Sequence, residues 1–232
     1  MRTQTFALKK ILPIVPSYLF VGIAYGILMS EAGFSPLWTL LSSVIVYAGS
    51  LQIIMVTLLT SGAPLYLVAV TSFFVNARHI FYGLGMIERF RGQKLRFPYM
   101  ALTVTDETYS VLCSMGPCPE GVSPKDADFY VLLFSQLTWI AASVAGALLA
   151  GSLPVDLTGI DFSATAFFVT VCVDQWRKSS SHLPAIAGAV SAAAFYFLLG
   201  PEDFLLPALS ASLIVLLLLK DRALLQKRRD RA

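Results

Sequence analysis

A polytopic bundle of membrane-spanning α-helices is the fold class that the sequence predicts, and three observations carry it. Hydrophobic residues make up 56% of the 232 positions and charged residues only 13%, about half the charge of an ordinary soluble domain. The mean hydropathy is +0.72. The apolar residues are also gathered into long uncharged runs: Ile11–Ser30, the stretch from Ala32 to Ala77, Phe129–Val155, Leu183–Pro201 and Phe204–Leu219. A helix needs about 20 apolar residues to cross a bilayer, so the stretch from Ala32 to Ala77 is long enough for two. Backbone polar groups inside hydrocarbon must be satisfied internally, which leaves helices or a closed barrel. Barrel strands alternate in polarity, and these runs are far too continuous for that. The fold class is all-α.

Eight hydrophobic helices follow in order. The first, 11–30, comes after a basic start (Arg2, Lys9, Lys10), as a signal peptide would. Its apolar run is long for a signal and has no clear cleavage site, so it reads as a retained helix. Gly33 and Pro36 separate it from 37–60, and Ser61-Gly62-Ala63-Pro64 turns the chain into 64–86. The fourth, 98–116, ends at Gly116-Pro117. The fifth, 128–150, runs to a break from Gly151 to Pro154. A short helix, 161–176, is bracketed by Asp161 and Asp174, and the last two, 184–200 and 204–220, are separated by Gly200-Pro201. Pro64, Pro98 and Pro184 stand where a helix begins, a tolerated first-turn position. Residues 1–220 therefore read as a single transmembrane domain, and 221–232 as a basic cytoplasmic tail.

The basic residues cluster at the N-terminus, in one loop (Arg89, Arg91, Lys94, Arg96) and at the C-terminus (Lys220, Arg222, Lys227, Arg228, Arg229, Arg231). Such clusters mark the cytoplasmic side. Eight crossings put both termini on one side but the four-charge loop on the other. Six crossings put every cluster inside, if 37–60 turns back near Gly49 and 98–116 does likewise. Both counts remain open, with at least one helix broken. No soluble module surrounds the clusters, so nucleic acid is not an expected partner. Cys113, Cys118 and Cys172 fit no metal spacing and suit apolar packing. Sliding the chain by 120 residues superposes Gly26 on Gly146, Pro64 on Pro184 and Ala69-Val70 on Ala189-Val190, so 11–86 falls on 131–200. Transporters are often built from such repeats. Chance matches among apolar residues are the alternative.

Charge inside a membrane helix is expensive and marks an ion or substrate path. In Asn76-Ala77-Arg78-His79-Ile80-Phe81-Tyr82-Gly83, Arg78, His79 and Tyr82 share an arc of about 100°, with Asn76 beside His79. Arg78 could snorkel to the headgroups, but Arg89 and Arg91 are better placed for that, which favours burial of Arg78. The run Thr103-Val104-Thr105-Asp106-Glu107-Thr108-Tyr109 puts two acids in an apolar helix, where they need partners or water. Tyr47-Ala48-Gly49-Ser50-Leu51-Gln52 is small and polar in mid-run, as unwound backbone lining a cavity would be. A close helix contact would equally explain Gly49. Gly22 and Gly26, with three residues between them, read as a packing seam. Arg78 and Asp106 each lie fourteen residues from Gly92. Helical arms of equal length descend equally, by 1.5 Å per residue, so the two charges reach one depth. They are expected within about 8 Å of each other, a reach that one water still bridges. A helix interruption is expected in Tyr47–Gln52 or Val104–Tyr109.

The blocks GIAYG, YAGSLQ, NARHIFYG, TDETYS and GIDFSATAFF, in this order and spacing, resemble the large subunit of the branched-chain amino-acid exporter family (AzlC/YgaZ type) from about residue 11 to 200. The family pattern has Leu where Ala77 stands, Phe where Tyr109 stands and commonly Gln-Phe where this chain has Gln52-Ile53, which leaves the exact substrate open. The resemblance implies a multi-pass transporter subunit of the bacterial inner membrane. It also implies efflux of valine, leucine, isoleucine and sometimes methionine, and a small partner membrane subunit of the AzlD/YgaH type. An aliphatic amino acid presents a carboxylate, an ammonium and a branched tail. Arg78 and the N-terminal ends of broken helices suit the carboxylate, Asp106 or Glu107 the ammonium, and Phe73, Phe74 and Ile80 the tail. Tyr47, Ser50, Gln52, Asn76, His79 and Tyr82 complete the candidate site. Titratable Asp106, Glu107 and His79 permit proton coupling. An intramembrane enzyme is the rival from another class, but H-E-x-x-H and G-x-S-x-G are both missing, and neither a metal nor a cofactor is expected. The other rival is a non-transporting membrane assembly subunit, for which buried charge is unnecessary.

Overall fold

The computed structural model describes residues 2–150, 169, 172, 173, 176, 177, 182–200, 204, 207, 208 and 210–218. Among these described residues every regular element is helical and no strand occurs. The basic start forms its own helix, α1 (Thr3–Ile11), bent by 69° from α2 (Val15–Glu31). Pro13 lies in the break: it has no N–H to donate to the Lys9 carbonyl one turn back, so the helical hydrogen-bond ladder is interrupted there. The expected helix 11–30 is thus α2, with α1 added in front.

The expected helix 37–60 is two helices, α3 (Pro36–Ile45) and α4 (Gly49–Thr60). At 10 and 12 residues they measure about 15 and 18 Å, and neither alone spans a hydrocarbon core of about 30 Å. Next comes α5 (Leu65–Gly85), with Pro64 capping its start. The basic turn follows: α6 (Ile87–Phe90), Gly92 at φ +87° and a 3₁₀ turn at Lys94–Arg96. The expected 98–116 is also divided, into α7 (Phe97–Leu102) and α8 (Asp106–Ser114). Helix α9 (Pro124–Ala150) starts a turn earlier than expected, on its own first-turn proline. Beyond it comes α10 (Leu183–Leu199). Of the expected 161–176 and 204–220, residues 169, 172, 173, 176, 207, 208 and 210–218 are helical. Phe204 is a bend, and the remainder of both, Asp161, Asp174 and the tail 221–232 lie outside the described residues.

Two single helices among the described residues are long and apolar enough to cross a membrane, Leu65–Gly85 and Pro124–Ala150; the bent pair α1–α2 makes a third span if taken as one. The chain divides into two compact units. One holds residues up to Pro64 and those from Val75 to the end of α9; the other holds Leu65–Phe74 and the described residues beyond 166.

In the first unit α9 is the spine, and α1, α2, α3 and α8 pack on it. The α2–α9 contact is a seam of small residues. A Cβ on Gly26 would lie 1.9 Å from the Ser143 carbonyl oxygen, and one on Gly146 would lie 2.2 Å from that of Ile23. Lipid tails are as apolar as leucine, so close backbone approach of this kind, rather than burial from water, holds membrane helices together. Gly26 and Gly146, equivalent under the 120-residue shift, face the same seam. The counterparts of α3 and α4 under that shift, 156–180, lie almost wholly outside the described residues.

Arg89 corrects an expectation. Instead of extending to headgroups beside Arg91, it donates from Nε and Nη2 to the two carboxylate oxygens of Asp128, both at 2.7 Å, and from Nη1 to the carbonyl of Leu112. Asp128 is 4% exposed. Among the described residues Arg91 meets only the exposed Glu88, and Arg96 meets Asp126 at the surface. Removing one partner of a buried pair costs about 3–5 kcal/mol because the other charge stays behind unpaired. Arg89→Ala should therefore lower the unfolding midpoint in detergent sharply, whereas Arg91→Ala leaves it nearly unchanged. Equal midpoints would remove Arg89 from the scaffold. Two cysteines also depart from expectation: Cys113 and Cys172 are exposed, and only Cys118 packs, beside Phe6, Val122 and Ala127.

Candidate functional site

Both expected interruptions are present, and they differ in construction. The first is Val46-Tyr47-Ala48, with Tyr47 at φ +40°, a left-handed conformation that a bulky residue rarely adopts. Gln52, 1% exposed, holds this break: its Oε1 accepts from the Ala48 N–H at 3.2 Å and from Trp139 Nε1 at 3.0 Å, and its Nε2 donates to Ser43 Oγ at 3.4 Å. Trp139 lies against Gly49, where a Cβ would come within 2.8 Å of the indole ring. Tight approach and unwound backbone, raised as alternatives for Gly49, therefore coincide there.

The second break, Thr103-Val104-Thr105, ends in a capping box. Thr105 Oγ1 accepts from the Thr108 N–H at 3.3 Å, and Thr108 Oγ1 accepts from the Thr105 N–H at 2.8 Å. The box satisfies two free backbone donors at the start of α8. Asp106 and Glu107 then occupy its first turn, where the helix dipole favours negative charge. Tyr18 of α2 bonds to Thr105 Oγ1 at 2.6 Å and donates to Glu107 Oε2 at 3.3 Å.

Arg78 joins the two breaks. Its Nη1 forms an ion pair with Asp106 Oδ2, and its Nη2 donates to Ser50 Oγ at 2.9 Å. The Arg78 and Asp106 side chains are 34% and 23% exposed, so the pair is half-buried. The meeting expected of two residues equidistant from Gly92 is realised as direct contact. His79 and Tyr82 meet edge to face, with ring centroids 6.0 Å apart, and Tyr82 lies 5.0 Å from Tyr109. Tyr82 also sits beside Asp106.

Unused hydrogen-bonding capacity is concentrated here. Buried side-chain atoms without a well-formed hydrogen bond are rare in folded proteins. Among the described residues they are Tyr47 Oη, Asn76 Oδ1, Arg78 Nε, His79 Nδ1 and Asp106 Oδ1, with only Thr39 Oγ1 and Thr71 Oγ1 in addition. Donors and acceptors are both represented: Arg78 Nε is a donor, Asn76 Oδ1 and Asp106 Oδ1 are acceptors, and the tyrosine and histidine atoms can serve as either.

Of the candidate residues, then, Ser50, Arg78 and Asp106 are in direct contact. Tyr47, Asn76 and His79 carry buried atoms without a well-formed hydrogen bond, Tyr82 flanks the carboxylate, and Glu107 faces Tyr18. The amide of Gln52 is committed to the scaffold. Sequence reasoning passed over Tyr18, Thr105 and Trp139. Thr105 had a visible signal, a hydroxyl residue with another three positions on, at the head of an acidic turn. A tyrosine or tryptophan inside an apolar run has no comparable mark.

Comparison with known proteins agrees with this arrangement of blocks. The AzlC protein family profile matches residues 13–153. An uncharacterised membrane protein of Helicobacter pylori (strain ATCC 700392 / 26695) is 36% identical over 92% of this chain and 93% of its own. The branched-chain amino acid transport protein AzlC of Bacillus subtilis (strain 168) is 32% identical over 90% of this chain and 82% of its own. The inner membrane protein YgaZ of Escherichia coli (strain K12) is 27% identical over 75% of this chain and 73% of its own. No solved structure matches. The matched profile covers both broken segments and the whole Arg78–Asp106 constellation, and the chain belongs to the AzlC family of membrane proteins.

Proposed function

We propose that the chain is the large subunit of a secondary transporter that exports branched-chain amino acids across the bacterial inner membrane in exchange for protons. The observation that carries this reading is the set of buried donors and acceptors without a well-formed hydrogen bond around Arg78 and Asp106. An α-amino acid needs donors for its carboxylate and acceptors for its ammonium, a few ångströms apart, and this cluster offers both. Arg78 Nε and His79 face the carboxylate, Asp106 Oδ1 and Asn76 Oδ1 face the ammonium, and Tyr47 and Ser50 close the polar end. The rings of Tyr82 and Tyr109 provide an apolar wall for a branched tail. The name of the Bacillus subtilis relative supports this substrate class, and that of the Escherichia coli relative supports the inner membrane as location. Valine, leucine and isoleucine are the expected cargo, with methionine as a longer analogue. The chain works with a small membrane subunit.

Radiolabelled valine efflux is the test, measured from cells carrying the chain together with a small membrane subunit of the AzlD/YgaH type. Efflux should rise above that of cells lacking either component. Identical rates in all three strains would reject the export function.

A further inference from the structure

Four carboxylates in the first unit have an arginine as partner: Asp106 with Arg78, Asp128 with Arg89, Asp126 with Arg96 and Glu88 with Arg91. Glu107, next to Asp106 in the same helical turn, has none among the described residues. It is half-buried, and its one hydrogen bond comes from the Tyr18 hydroxyl at 3.3 Å. The groups around it are phenols and an acid. Tyr18 approaches from α2, Tyr47 from the first break and Tyr82 from α5, while Asp106 precedes it on α8. The nearby guanidinium of Arg78 is taken by Asp106 and Ser50. Withdrawing an ionised carboxylate from water without a cation is costly, and withdrawing a protonated one is less so. Tyr18 can serve either form, because a phenol both donates and accepts.

We infer that Glu107 carries the coupling proton, apart from the Arg78–Asp106 pair that holds the amino acid. The inference rests on the export function proposed above. In each cycle Glu107 takes a proton from water on the outer side and becomes neutral. It releases that proton to water on the cytoplasmic side, returning to the carboxylate. One proton enters as one zwitterion leaves, so a single positive charge moves inward.

The test uses the chain reconstituted with its small membrane subunit in vesicles, with two readouts: uphill valine movement driven by a proton gradient, and valine–valine exchange without a gradient. Wild-type protein should perform both. Glu107→Gln should lose the uphill movement while exchange remains measurable, and Asp106→Asn should lose both. Uphill movement by Glu107→Gln overturns the inference and leaves the proposed function standing, whereas a wild type that exchanges valine but ignores the proton gradient overturns the inference and the proton exchange together and leaves only amino-acid transport. A wild type that moves no valine rejects the function, and the inference falls with it. If Glu107→Gln does not fold, Glu107→Asp decides: a carrier shortened by one methylene should keep uphill movement with a displaced pH profile. An unchanged profile overturns the inference.

Discussion

Replacing Arg78 with alanine is expected to abolish valine efflux, whereas replacing Arg91 should leave it within about twofold, since exposed ion pairs contribute about 0–1 kcal/mol. Arg91 bonds only to an exposed glutamate one turn away. Arg78 ties α5 to α4 and α8, and its removal leaves the half-buried Asp106 without its cation. Breaking such a pair costs about 3–5 kcal/mol when it is fully buried, and the half-exposure here points to the lower end. A loss of about 3 kcal/mol in substrate binding alone is a factor of more than a hundred. Stability and recognition can be separated with the neutral pair Arg78→Gln/Asp106→Asn. It removes both charges, so it should unfold later than either single variant, as interacting sites do in a double-mutant cycle. It should still move no valine, having neither a cation for the carboxylate nor an anion for the ammonium. Efflux by the double variant would reduce the pair to a structural brace.

The features legible in the sequence were those written in local chemistry. Uncharged runs of membrane length announced helices, and small or polar residues in mid-run announced the two breaks. The depth relation about Gly92 needed only that both arms be mostly helical; α5 is continuous and the other arm is broken, yet Arg78 and Asp106 still meet. Features that depend on which helix faces which were not legible. Arg89 and Asp128 are 39 residues apart, on separate elements, and no periodicity connects them. The same gap concealed Tyr18, whose partners Thr105 and Glu107 lie on α8.

Hydropathy also misplaced one boundary for a physical reason. Lys125, Asp126 and Asp128 interrupt the apolar run, so the run starts at Phe129 although the helix starts at Pro124. Those charges are tolerated because Asp126 and Asp128 are paired with Arg96 and Arg89. Membrane helices thus extend beyond their apolar stretch where ion pairs receive them, and the proline was the better marker of the start.

The α2–α9 seam should give the largest loss of fold. Gly26→Ala places a methyl 1.9 Å from the Ser143 carbonyl oxygen and 2.6 Å from the Ala147 nitrogen. Both neighbours are backbone in the middle of a 27-residue helix, so neither can rotate away as a side chain would. The helices must separate, and the α2 and α9 residues that form the site's far wall, Tyr18 and Trp139, move apart with them. Overpacking a tight core commonly costs about 1–3 kcal/mol, and occasionally more; a contact this short against backbone belongs at the upper end. Gly188→Ala is the control. Gly188 lies in α10 with nothing among the described residues within 4 Å of the added carbon, so the change there should bring only the helical advantage of alanine, about 1 kcal/mol. One substitution should therefore have opposite signs at two positions: a lowered unfolding midpoint and lost efflux at Gly26, and an equal or raised midpoint with efflux retained at Gly188. If Gly26→Ala unfolds at the wild-type temperature, α2 and α9 do not meet at this seam, and the wall that holds Thr105 and Gln52 in place has been assigned to the wrong helices.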